Sequence, residues 1–133
     1  MKTVSLPAII YAMTAVVLFG SGCAFDLTHV KQSPASFQPV SPGGSSWKLN
    51  QDVKISIGTG YSTRLKAGTR WEQVGRIEQG DIFKTGDQIL TVEASNIHEA
   101  YLVVRDGMVT GFYLPVERTF TPVSPPKPIQ VEP

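Results

Sequence analysis

The residues of this 133-residue chain that could do chemistry are few: one cysteine, two histidines and eleven acids. Asn96-Ile97-His98-Glu99 sets the commonest general base beside a carboxylate. Neighbouring residues of a strand point to opposite faces, so His98 and Glu99 do not act as a pair. The residue four places after His98 is Leu102, which excludes the zinc motif HExxH. A hydrolase working through His98 would need an exposed cleft and a second titratable group within hydrogen-bond reach. The residue types alone read as a structural histidine at a turn or strand edge, bonding a loop carbonyl. Glu72, Glu78, Asp81 and Asp87 offer many carboxylate pairings and no spacing that selects one. Gly58-Thr59-Gly60 lacks the lysine and the following helix of a phosphate-binding loop. These patterns assign no catalytic residue, no cofactor and no metal ligand.

The lone Cys23 excludes an internal disulfide and any multi-cysteine metal site, and its position carries the strongest signal in the chain. Met1 and Lys2 supply two positive charges, an apolar run of 14 residues follows from Leu6 to Phe19, and the small residues Gly20, Ser21 and Gly22 lead into Cys23. That is the layout of a secretory signal peptide. The run falls short of the roughly 20 residues that cross a hydrocarbon core. Leu18-Phe19-Gly20-Ser21-Gly22-Cys23 resembles the lipobox of bacterial lipoproteins, with Gly20 where that family usually has an aliphatic residue. The resemblance implies that residues 1–22 are removed and that Cys23 carries the lipid anchor. It also implies sorting to the outer membrane, periplasmic face, because Ala24 rather than Asp follows the cysteine. No charge lies between Lys2 and Asp26, so a single-span anchor in the inner membrane is the alternative.

Twelve Lys and Arg against eleven Asp and Glu leave a net charge of +1, far from the basic balance of a phosphate-binding surface, so nucleic acid is excluded as a main partner. Loss of Lys2 with the signal peptide would leave eleven of each sign. Such a neutral body has no polybasic patch, and membrane attachment would rest on the acyl chains.

Between its ends the chain reads as one small domain. Residues 23–46, which hold His29, Pro34, Pro39, Pro42 and the Gly43-Gly44 pair, show no apolar periodicity and are expected to be a disordered tether. Residues 124–133 are expected to be a Pro-rich tail in polyproline II conformation. Residues 47–123 carry turn signals every eight to twelve residues, the pattern of an all-β domain. The expectation is a small barrel or sandwich of six or seven strands and SH3-like size. Val53, Ile55 and Ile57 alternate with polar residues. In Arg70–Ile77 the apolar positions Trp71, Val74 and Ile77 fall out of period two around Gly75, which predicts a β-bulge or a sharp coil. Gly86-Asp87 predicts a tight hairpin, and Asp106-Gly107 a type I′ hairpin joining Ala100–Arg105 to Met108–Leu114.

In the simplest register of that last hairpin, Val104 opposes Val109, Leu102 opposes Gly111, Ala100 opposes Tyr113 and Tyr101 opposes Phe112. Both faces are then apolar, and Tyr101, Phe112 and Tyr113 become the candidate partner-binding residues. The function expected is a lipid-tethered, non-enzymatic binding or assembly module of an envelope complex, with a protein as partner. An inhibitor or sensor of a periplasmic enzyme is the alternative. Mass spectrometry of the mature N-terminus is expected to find residues 1–22 absent and Cys23 acylated; an unmodified Cys23 behind an intact Met1 would favour the single-span anchor.

Overall fold

The computed structural model describes residues 31–41 and 43–133. The expected signal peptide, Cys23 and His29 lie outside the described residues. Among those described the chain is all-β, with thirteen strands and no helix. Short alternating segments separated by Gly, Pro and Asp turns leave no apolar face at helical spacing to bury.

Nine strands form one antiparallel sheet. Along it run β1 (Ser33–Pro34), β12 (Thr119–Pro128), β11 (Met108–Leu114), β10 (Tyr101–Arg105), β7 (Gly80–Thr85), β6 (Arg70–Ile77), β3 (Ser46–Leu49) and β13 (Val131–Glu132). The ninth, β2 (Gln38–Pro39), also pairs with β6. Two hairpins lie outside the sheet: β4 (Val53–Ser56) with β5 (Ser62–Leu65), and β8 (Thr91–Glu93) with β9 (Ile97–Glu99). The sheet does not close into a barrel, and its strand count exceeds the six or seven expected from sequence.

The pleat sends alternate residues into two separate cores. Trp47, Trp71, Phe83, Leu102, Phe112 and Leu114 join the larger one, which the two hairpins cover with Ile55, Ile57, Leu65 and Val92. On the opposite face Ile77, Ile82, Val103, Tyr113 and Phe120 form a second core, against which Ala35 and Phe37 pack. The described part of the segment expected to be a tether therefore belongs to the domain: Ser33–Pro34 pairs with β12 and Gln38–Pro39 with β6. Pro34 and Pro39 sit on peripheral two-residue strands, where a missing N–H costs no ladder bond. The cause is the second apolar face, which needs a cover that residues 47–123 do not supply. The expected boundary at residue 47 consequently falls inside β3.

The Pro-rich tail departs from expectation in the same way. β12 continues through Pro128, with Val109 opposite Lys127 and Met108 opposite Pro128, and β13 pairs with β3. Between Pro122 and Lys127 the chain bulges away from β11, and Val123 bridges to Ile57 beside the β4–β5 hairpin. The bulge removes the proline nitrogens of positions 125 and 126 from the ladder, so a sheet edge can contain them.

Two local expectations hold. The register between β6 and β7 shifts between Gln73 and Gly75, the predicted irregularity, and it sends Ile77 to the core opposite that of Trp71, where plain alternation would put both on one face. Asp106 and Gly107 have φ of 53° and 76°, as a type I′ turn requires. The register of that hairpin is corrected, however. Val104 does face Val109, but a bulge at Thr110 puts Val103 opposite Gly111, Leu102 opposite Phe112 and Tyr101 opposite Tyr113. The Gly86-Asp87 hairpin is also corrected: β7 does not pair with β8, and Gly86 lacks the positive φ of a Gly-first turn. Instead the Asp87 carboxylate accepts the Arg70 N–H at 2.7 Å, and the Gln88 amide bonds both the Arg64 carbonyl (3.1 Å) and the Lys66 N–H (2.9 Å).

A Cβ on Gly111 would stand 2.3 Å from the Thr121 carbonyl and 2.6 Å from the Phe120 ring, whereas one on Gly107 meets open space. Gly111→Ala is expected to destabilise by about 3 kcal/mol through overpacking, and Gly107→Val by about 1 kcal/mol through its backbone alone. Urea denaturation checks the order.

Candidate functional site

The strap Ser33–Val40 crosses the second face of the sheet, and its middle forms one wall of a cleft. β1 ends at Pro34 and β2 begins at Gln38, so Ala35, Ser36 and Phe37 lie between ladders. The Ala35 N–H donates to the Arg118 carbonyl at 3.2 Å, and the Val40 N–H to the Val74 carbonyl at 3.3 Å. Phe37 is seated by the absence of a side chain on Gly75: a Cβ there would lie 2.3 Å from the phenyl ring. The ring stacks on Tyr113, centroids 5.3 Å apart and planes inclined by 24°. Tyr101 lies across from Tyr113 at 6.5 Å.

These rings, with Ala35, Ser36, Pro115 and Arg118, bound a cleft of about 670 Å³. On the far side of the strap Pro34, Ser36 and Gln38 face Arg76 and Gln79 across a second cleft of about 400 Å³. The buried carboxamide oxygen of Gln79 has no hydrogen-bond partner there.

The electrostatics of the aromatic cleft are one-sided. Arg118 ends the turn between β11 and β12 with φ 60°, its N–H donating to the Leu114 carbonyl at 2.7 Å. Its guanidinium makes no ion pair among the described residues. The acid next to it, Glu117, is held elsewhere: His98 Nδ1 lies 2.7 Å from Glu117 Oε2, with the two side chains 15% and 30% exposed. Lys84, outside the lining of this cleft, holds its ammonium 5.5 Å from the centre of the Tyr101 ring. No Asp or Glu among the described residues lines the cleft. Burial pushes the Tyr113 phenol above the ordinary tyrosine range, the Arg118 charge pulls it back, and Tyr101 raises it further.

Of the three residues singled out from sequence, the structure brings Tyr101 and Tyr113 together and sends Phe112 to the other face. Phe112 is 1% exposed inside the larger core and is no surface residue. Tyr113 is 3% exposed, so it forms the floor of the cleft and not an outward patch, while Tyr101 is half-buried at its wall. The bulge at Thr110 makes this difference, because a one-residue shift exchanges the faces. Sequence reasoning missed Phe37, Arg118 and Glu117. Phe37 had a signal, a single aromatic residue between Pro34 and Pro39, but the prolines outweighed it.

The remaining acids are occupied or scattered. Asp81 pairs with Arg76 at 3.0 Å, and Asp87 caps the Arg70 N–H. Gly58 to Gly60 is the turn of the β4–β5 hairpin, with Gly60 donating to the Ile57 carbonyl at 2.9 Å. His98 bonds a carboxylate instead of the loop carbonyl expected. The pair meets half of what a hydrolase would need, but His98 lines neither of the two clefts. No group of three metal-ligating side chains occurs among the described residues. Comparison with protein-family models, with curated proteins and with solved structures gives no match.

Because Arg118 opposes and Tyr101 assists the rise that burial causes in the Tyr113 pKa, Arg118→Gln is expected to move the Tyr113 titration upward and Tyr101→Leu to move it downward. Ultraviolet titration reads both. A folded-state pKa raised above the unfolded value contributes stability that is complete below the unfolded pKa. That contribution is lost as pH rises from there through the folded pKa, so the domain should weaken in this alkaline window.

Proposed function

We propose that this chain is a lipid-anchored envelope protein whose β-domain is a non-enzymatic docking or assembly module. Cys23 would hold it at the periplasmic face of the outer membrane, and a partner protein would occupy the aromatic cleft. In this reading the nine-stranded sheet and the two hairpins are the layers of a small sandwich around the larger core. The second face, under the strap, carries the docking site.

The observation that supports the reading is the cleft of Phe37, Tyr101 and Tyr113 with a cation at its rim and no compensating acid. Aromatic rings with an arginine at a concave site are the residue types that concentrate binding energy at interfaces. Only nine residues separate Cys23 from Ser33, so an acylated Cys23 keeps the strap within about 35 Å of the lipid surface. A partner must therefore approach close to the membrane.

A photo-crosslinking residue at Ser36, on the cleft wall, is expected to capture a discrete protein in intact envelopes. Tyr101→Lys should reduce that capture by about tenfold, while Lys54→Ala on β4 leaves it unchanged. Absence of any crosslinked protein, with the variant folded and localised, overturns the docking reading. The His98–Glu117 pair favours one second reading, a small hydrolase in which Glu117 orients His98 as a general base. A hydrolytic activity abolished by His98→Ala in a folded protein would put that reading in place of the first.

A further inference from the structure

The chemistry of the cleft names the class of partner. We propose that it takes a carboxylate presented beside an apolar or aromatic side chain, on an acidic segment of a partner protein; this rests on the docking reading above. The first support is charge. Among the described residues Arg118 stands at the rim without an ion pair, and the lining contains no acid.

The nearest acid in sequence, Glu117, is withdrawn from Arg118 by its 2.7 Å contact with His98. Two adjacent side chains of opposite charge in one turn would otherwise satisfy one another. His98 is thus a positioning residue: it anchors Glu117 to β9 and leaves the guanidinium for a ligand anion, for which a planar, forked donor is well suited.

The second support is shape and surface. Stacked Phe37 and Tyr113 and the facing Tyr101 form an apolar floor and wall large enough for one ring or branched side chain. The third is backbone. Ser36 and Phe37 lie between the two ladders of the strap, and neither N–H enters a backbone hydrogen bond. Successive N–H groups of an extended chain point to opposite sides, so a segment laid along one side of the strap can use one of the two as a donor, in the manner of peptides that add to sheet edges. An acidic segment meets all three at once, with its carboxylate on Arg118, its apolar side chain on the rings and a carbonyl on the strap.

The probes are phenylacetate, its neutral isostere phenylacetamide, and N-acetylglucosamine, titrated into the folded protein while the resonances of Phe37, Tyr101 and Tyr113 are followed by NMR. Phenylacetate is expected to bind about fivefold more tightly than phenylacetamide, the size of a partly exposed ion pair. Arg118→Gln should erase that ratio and Arg118→Lys restore part of it. His98→Ala should weaken phenylacetate and leave phenylacetamide unchanged, which a purely structural role for His98 would not produce. Tyr101→Leu should weaken both. Equal binding of the two aromatic probes, preference for the sugar, or no shift of the cleft resonances overturns the acidic-segment assignment. Each result leaves the docking reading standing if Ser36 still crosslinks a protein.

Discussion

A strand pair that is apolar on both faces has to be covered twice, and the β10–β11 hairpin imposes that requirement on the whole molecule. Leu102, Phe112 and Leu114 face one way while Val103 and Tyr113 face the other, all of them under 4% exposed. Two cross-strand hairpins cover the first face. The second is left to a strap of eight residues whose only large apolar side chain is Phe37, and that side chain fits because Gly75 leaves a gap for its ring. Remove the gap, and the strap has no anchor. Without the strap, Tyr113 and Phe120 would be bare to water, at roughly 25 cal/mol for each Å² uncovered.

Side-chain groups complete what the strands leave open. Gln88 bonds the Arg64 carbonyl and the Lys66 N–H with one amide, imitating a neighbouring strand along the outer edge of the β4–β5 hairpin. Asp87 does the same for the Arg70 N–H, and Asp52 accepts the Ala67 N–H at 2.8 Å. An edge so occupied cannot template another chain, which protects against edge-to-edge association. These bonds also explain why the chain leaves β7 without a tight hairpin: Asp87 and Gln88 are engaged with two different strands and cannot be the centre of a two-residue turn.

The parts legible in the sequence were those fixed by neighbours in sequence. Asp106-Gly107 declared its turn because both residues tolerate positive φ, and the β6 bulge declared itself because Trp71, Val74 and Ile77 break period two around Gly75. What was illegible depended on contacts between distant positions. The bulge at Thr110 is followed by Gly111 as that at Val74 is by Gly75, but the apolar run Met108–Leu114 has no period two to break, so nothing exposes it; Gly111 lies close against Thr121 and Phe120 of β12, ten residues on. From that one unmarked bulge came the assignment of Phe112 to the wrong face. The strap and the Pro-rich end were misjudged for a related reason. Proline density reports what a segment cannot donate, and says nothing of a sheet edge that asks for no donor. The site was half legible: Tyr101 and Tyr113 stood out as excess aromatic residues, while Phe37, Arg118 and Glu117 are brought to them only by the fold.

One consequence joins fold and site. The strap is a structural cover, the wall of the cleft and the described segment nearest in sequence to Cys23. A ligand that presses on Ser36 and Phe37 acts on the same residues that shield Tyr113 and Phe120 from water, so binding energy and folding energy are drawn from one set of contacts. The strap's two pairings are only two residues long each, whereas β6, β7, β10 and β11 are held on both sides. Local opening of the domain is therefore cheapest at the strap, where the fewest bonds are broken. A ligand seated between the strap and the β10–β11 hairpin would touch both sides of that opening. It would close the weakest seam of the domain, and stabilise the fold in proportion to its occupancy.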